Sequence, residues 1–130
     1  MVTDSLTYLD KAVESLVGAE SEYVNGRYNN CANRCYYAMF QAAVAALIAA
    51  GIQPTGARAQ WEHEFVQARF AGVLVRRRKL YQTDLAPLFA QVHRTRLTAD
   101  YGMAGIGQKE AERALHKARA FVLAVQEKLT

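Results

Sequence analysis

The stretch from Asn30 to Gly51, NCANRCYYAMFQAAVAALIAAG, limits the fold more than any other part of the chain. From Cys35 to Ala50 only Gln41 is strongly polar, so a helix formed here is apolar nearly all round and belongs in the middle of a helical bundle. Its exception is a polar strip. At about 100° per residue, Asn30, Asn33, Arg34, Tyr37 and Gln41 share one side, spaced i, i+3, i+4, i+7 and i+11. An arginine and three amides on an apolar wall need partners, because unpaired buried polar groups are costly. Two arrangements satisfy them: a structural network or seam between two copies, or one wall of a polar cleft.

The rest of the sequence supports helices around this one. The chain has only two prolines, Pro54 and Pro87, and no segment alternates apolar and polar residues as a half-buried strand does. The first helix is expected from about Asp4 to Val24, with Leu6, Leu9, Val13, Leu16, Val17 and Val24 inward and Asn25-Gly26 ending it. The second runs from about Tyr28 to Ala50 and stops at Gly51; Gly51 to Gly56, with Pro54, reads as a loop. A third, shorter helix is expected from about Ala57 to Ala71, burying Trp61, Phe65 and Ala68, with Arg76–Lys79 as loop or ragged helical extension. The fourth starts near Asp84 as N-cap, has Pro87 in its first turn and an apolar stripe of Leu85, Leu88, Phe89 and Val92, and is closed by the glycine-rich run 102–107. No strand precedes those glycines, so they read as helix stop and turn rather than a phosphate loop. The last helix, Gln108 to Leu129, carries Ala111, Ala114, Leu115, Ala118, Val122, Val125 and Leu129 on one side. The expected fold is all-α: an up-and-down bundle of four long helices plus one short helix, as one domain over residues 1–130.

Charge is unevenly spread. The formal net charge of the 130 residues is +4, and the excess falls in the middle third, concentrated in Arg76, Arg77, Arg78 and Lys79. Such a run suits a polyanion, with RNA the usual candidate, unless it is a solvated loop. Cys31 and Cys35 share one helix face at a spacing that seldom bridges, and His63, His93 and His116 are scattered singly, so reduced thiols and no metal are expected. No apolar run suits a signal peptide or a membrane span, and a cytoplasmic protein is expected.

The second polar anomaly lies on the fourth helix. Arg96 shares a strip with Leu85, Phe89 and Val92, so its always-charged guanidinium points toward the bundle and needs a carboxylate, amides, a partner or a bound anion. Asp100, at i+4, suits it as a partner, completed by Asn33 or Asn30; His93 lies one turn before, and Tyr101 comes as the helix ends. The structural alternative is this Arg96–Asp100 pair with its amide and no ligand, and the functional one is a seat for a phosphate.

Asn33-Arg34-Cys35-Tyr36-Tyr37-Ala38-Met39-Phe40, the Trp61-Glu62-His63-Glu64 block, and Arg96-Leu97-Thr98-Ala99-Asp100-Tyr101 together resemble the HEPN family over nearly the whole chain. The resemblance implies a small helical bundle that pairs as a homodimer. It also implies a place in toxin–antitoxin or defence-like modules beside a minimal nucleotidyltransferase, and metal-independent ribonuclease chemistry without a cofactor. Active members carry an arginine, four to six residues, then a histidine. From Arg96 those positions are Tyr101, Gly102 and Met103; from Arg94 they are Ala99, Asp100 and Tyr101. None is histidine, and a tyrosine is a poor base at neutral pH. Arg58 to His63 has the right spacing but falls on the third helix, where His63 reads as a capping or core residue.

The expected function is therefore RNA binding through Arg76, Arg77, Arg78 and Lys79 and a cleft of Asn30, Asn33, Arg34, Tyr37 and Asp100, with cleavage weak or lost. Any catalysis would use Arg96 with His93 or Tyr101. The alternative is a non-catalytic dimeric subunit that docks a nucleotidyltransferase or a nucleotide.

Overall fold

The computed structural model describes residues 2–54 and 60–130, with side chains from Asp4 onward. Its helices are α1 (Val2–Val24), α2 (Tyr28–Ala49), α3 (His63–Arg69) continuing into a π-helical segment (Phe70–Arg77), α4 (Leu85–Tyr101) and α5 (Gln108–Leu129). The expected all-α bundle of four long helices and one short one is what the described residues form. Along the chain, α1, α2, α4 and α5 alternate in direction: Ser5 Oγ donates to Ala45 O at 2.8 Å, while Asn30 at the other end of α2 bonds Glu22. Helix α2 fills the centre, with everything from Ala42 to Ile48 buried. Aromatic rings close the core from three other elements: Phe70 and Phe89 approach Phe121 at 4.9 and 5.2 Å between centroids, and Tyr36 of α2 meets Phe89 at 5.9 Å.

Two expectations on element faces need correction. On α1, Leu6, Val17 and Val24 point outward, and the face against α2 is built from Ser5, Leu9, Ala12, Ser15 and Ala19. Small side chains let the two backbones approach closely, and the alanine-rich wall of α2 leaves no room for larger ones. Gln41, the one strongly polar residue in the apolar run, meets Ser15 of α1 at 2.7 Å.

The third helix is also displaced. It starts at His63 rather than Ala57, which lies outside the described residues, and its buried residues are Val66, Phe70, Val73, Leu74 and Val75. Phe65 and Trp61 are half-buried and Ala68 is exposed. The π segment has a physical reason. In α-helical geometry Arg77, two turns after Phe70, would come back over the buried face and Val75 would point to solvent. The wider i→i+5 turn rotates Val75 inward and Arg77 outward. The Arg76–Lys79 run is thus part helix and part turn, with Lys79 at φ 54°.

Asp84 precedes α4 as expected, but its side chain makes no capping bond. Beyond α4, Gly105 adopts φ +71°, and a Cβ there would lie 2.8 Å from the Asn29 amide. That glycine lets the loop close onto α2, where Ile106 N–H donates to Asn29 Oδ1 at 3.0 Å.

Candidate functional site

Antiparallel packing of α2 and α4 brings the two sequence anomalies together. Arg96 Nε donates to Asp100 Oδ2 at 3.0 Å, and the same oxygen accepts from Asn33 Nδ2 at 3.2 Å. Asn33 Oδ1 in turn accepts from an Arg34 terminal nitrogen at 3.0 Å. Both guanidinium groups lie over the Tyr37 ring, Arg34 at 5.3 Å and Arg96 at 5.5 Å from its centroid, and Arg96 also covers Tyr36 at 5.3 Å. Cation–π contact of this kind holds a guanidinium flat against an aromatic wall without neutralising it. The cluster holds two guanidinium groups and one carboxylate, which pairs with Arg96 while Arg34 bonds only the Asn33 amide, so it keeps a positive excess. The Arg96 side chain is 15% exposed: recessed, but open at its edge.

Tyr36 lies at the centre and is fully buried. Its hydroxyl is hydrogen-bonded to His63 Nδ1 and accepts from Gln67 Nε2 at 3.3 Å. His63 stacks on the Tyr36 ring at 5.4 Å with planes 13° apart, and His93 meets the same ring at 4.9 Å. Burial, and then the Arg96 charge, pushes both histidines below their ordinary range; for His93 the nearby His63 adds to this. Burial pushes the Tyr36 hydroxyl up, which keeps it neutral. His93 Nδ1 is buried without a hydrogen-bond partner among the described residues. The site thus combines fixed positive charge with two imidazoles held neutral at ordinary pH.

The other expected site residues are placed less centrally. Asn30 bonds Glu22 at 3.1 Å and Glu22 pairs with Arg27 at 2.8 Å, which pulls Asn30 toward α1. A hollow of about 240 Å³ bounded by Gly18, Glu22, Asn30, Asn33 and Arg34 opens on that side. Tyr101 is 74% exposed and its ring takes no part in the cluster. The basic run is at the far end of α2: Arg78 donates to Ala50 O at 2.9 Å, and Arg76, Arg77 and Lys79 are exposed. At 1.5 Å per residue the helix separates Asn33 from Ala50 by about 25 Å, so the run and the cleft do not form one pocket. A larger hollow of about 580 Å³, between Tyr81, Leu85, Leu88, Leu123 and Lys128, contains none of the expected site residues.

Three members of the cluster were not among the expected site residues: Tyr36, His63 and Gln67. Tyr36 sits within the Tyr36-Tyr37 pair, but about 100° round the helix from the polar strip that carries Tyr37. His63 reaches the site only because α3 packs beside α2, and no local spacing encodes that contact. Arg58, its partner in the spacing pattern, lies outside the described residues. Cys31 and Cys35 are buried free thiols with sulfurs 4.0 Å apart. Among the described residues no three His, Cys, Asp or Glu side chains gather to hold a metal ion, and no helix is long and apolar enough to cross a membrane.

A family model described as the HEPN domain matches residues 6–128. No curated protein matches the chain.

Proposed function

This chain belongs to the HEPN domain family, and on that premise we propose that it is an RNA-binding component of a toxin–antitoxin or defence-like module. It works as a homodimer that seats an RNA phosphate at Arg96. The observation that carries this reading is the shared Asp100 carboxylate: it orients Arg96 and, through Asn33, Arg34, while leaving one guanidinium charge unbalanced. A phosphate diester brings the missing negative charge and oxygens that accept from the free N–H groups of both arginines. Pairing of two copies would set two such clusters facing one RNA strand. The exposed Arg76–Lys79 run supplies a second, sequence-independent contact, and an RNA touching both must follow the length of α2.

The test is fluorescence anisotropy with a labelled single-stranded RNA in EDTA, at several salt concentrations. Wild-type protein is expected to bind with a steep salt dependence, and Arg96→Ala to lose most of the affinity without losing the fold. Wild-type binding that is absent or insensitive to salt would contradict the reading.

A second reading has its own support. Histidine is absent from the positions after Arg96 where active members of the family carry it, and Tyr101 projects into solvent there. A dimer that docks a minimal nucleotidyltransferase would need neither the histidine nor tight RNA binding. Co-purification with a neighbouring nucleotidyltransferase, together with weak RNA affinity, would favour it.

A further inference from the structure

Histidine does enter the Arg96 cluster, but from another helix. His63, the first residue of α3, lies against Tyr36 and 4.8 Å from the Phe40 ring, centroid to centroid. Its Nδ1 is tied to the Tyr36 hydroxyl, which Gln67 also holds. Its Nε2 has no hydrogen-bond partner among the described residues, and the residue is only half-buried. One ring nitrogen is therefore fixed by a third group while the other is free, the arrangement that a proton-transferring histidine requires. Arg96 and His63 both lie against the Tyr36 and Tyr37 rings.

Ribonuclease chemistry is what membership of the HEPN family implies; we propose that in this chain His63, rather than a residue after Arg96, takes the proton from the attacking 2′-hydroxyl. The proposal rests on the reading that Arg96 seats an RNA phosphate. In the tautomer that serves a base, Nδ1–H donates to the Tyr36 oxygen and Nε2 keeps its lone pair. The 2′-oxygen forms a bond to the adjacent phosphorus and its proton passes to Nε2. The P–O5′ bond breaks, its electron pair stays on O5′, and that oxygen takes a proton from water, leaving a 2′,3′-cyclic phosphate and a 5′-hydroxyl. Arg96 offsets the charge that gathers on the non-bridging oxygens. No metal or co-reactant enters the balance. Tyr36 and Gln67 are positioning residues.

Among the described residues, the groups facing His63 are Tyr36, Tyr37 and Phe40 from α2, Arg96 and His93 from α4, and Gln67 on its own helix. The fixed charge among them is Arg96, which disfavours the imidazolium, as burial does. The base is thus ready at neutral pH, and the acid limb of the rate profile lies below the ordinary histidine value of 6.5.

The experiment incubates a labelled single-stranded RNA with the full chain in EDTA, and scores affinity, rate and product ends. Wild-type protein is expected to yield cyclic phosphate ends. His63→Gln is expected to lose about 10²–10⁴-fold in rate with unchanged affinity and circular dichroism. Tyr36→Phe, which keeps the ring packing, is expected to slow cleavage and move the acid limb to lower pH, because the imidazolium loses an acceptor. RNA that is bound but not cleaved, or His63→Gln cleaving at the wild-type rate, overturns the proposal and leaves the Arg96 reading standing. RNA that is not bound at all overturns both.

Discussion

A tyrosine with no exposed surface has no water for its hydroxyl, so Tyr36 depends on His63 and Gln67 for partners. The same packing strips water from His63 and His93, and that has a consequence for stability. Both have folded-state values below their ordinary one, with burial the first cause and Arg96 the next. The unfolded chain therefore takes up protons near pH 6.5 that the folded chain refuses. Stability is full above that pH and falls as pH drops from there through the folded-state values. Chemical denaturation midpoints at a series of pH values should show this slope, and the double variant His63→Gln, His93→Gln should flatten it. An unchanged slope in that variant would assign the acid sensitivity elsewhere. At this scale the sequence was readable for Arg96, Asp100 and Asn33, because helical spacing put an always-charged group on an apolar strip. His63 read only as a capping or core residue, because its contact with Tyr36 joins residues of two different helices.

Helix ends were legible where a local signal marks them. Asn25-Gly26 and Gly51 stop α1 and α2 as expected, with both glycines at positive φ. Helix faces were less legible. Apolar size favoured Leu6, Val17 and Val24 as the inner face of α1, but close approach to an alanine-rich partner selects Ala12, Ser15 and Ala19. Ala12→Leu is accordingly expected to destabilise the protein by about 1–3 kcal/mol in denaturant titrations. Val17→Ser, on the outside, should stay within about 0.5 kcal/mol. The π segment was unreadable because sequence periodicity assumes a regular α-helix. It makes its own prediction about register: Val75→Ser should cost about 2 kcal/mol or more, from a lost apolar contact and a buried hydroxyl. Arg77→Ser should be close to neutral. The opposite ranking would mean that the helix keeps an α-helical register to its end.

Across the whole molecule, positive charge collects at two ends of the central helix: a recessed cluster around Arg96 and an exposed run at Arg76–Lys79. Composition located the run but could not separate its role from that of the cluster, since net charge counts a recessed and a solvated arginine alike. What distinguishes them is geometry. Arg96 is held by Asp100 and two aromatic rings, whereas Arg76 and Arg77 are solvated. Light scattering during gel filtration should give twice the 14.5 kDa chain mass if two clusters are to face one RNA. The most direct measurement compares charge-matched variants, Arg96→Gln and Arg77→Gln, for affinity to the same single-stranded RNA at one salt concentration. A specific phosphate seat predicts that Arg96→Gln weakens binding about tenfold more than Arg77→Gln, the difference between an oriented charge-assisted contact and a diffuse one. Equal losses from the two variants would mean that RNA responds to net charge alone, and would contradict the account.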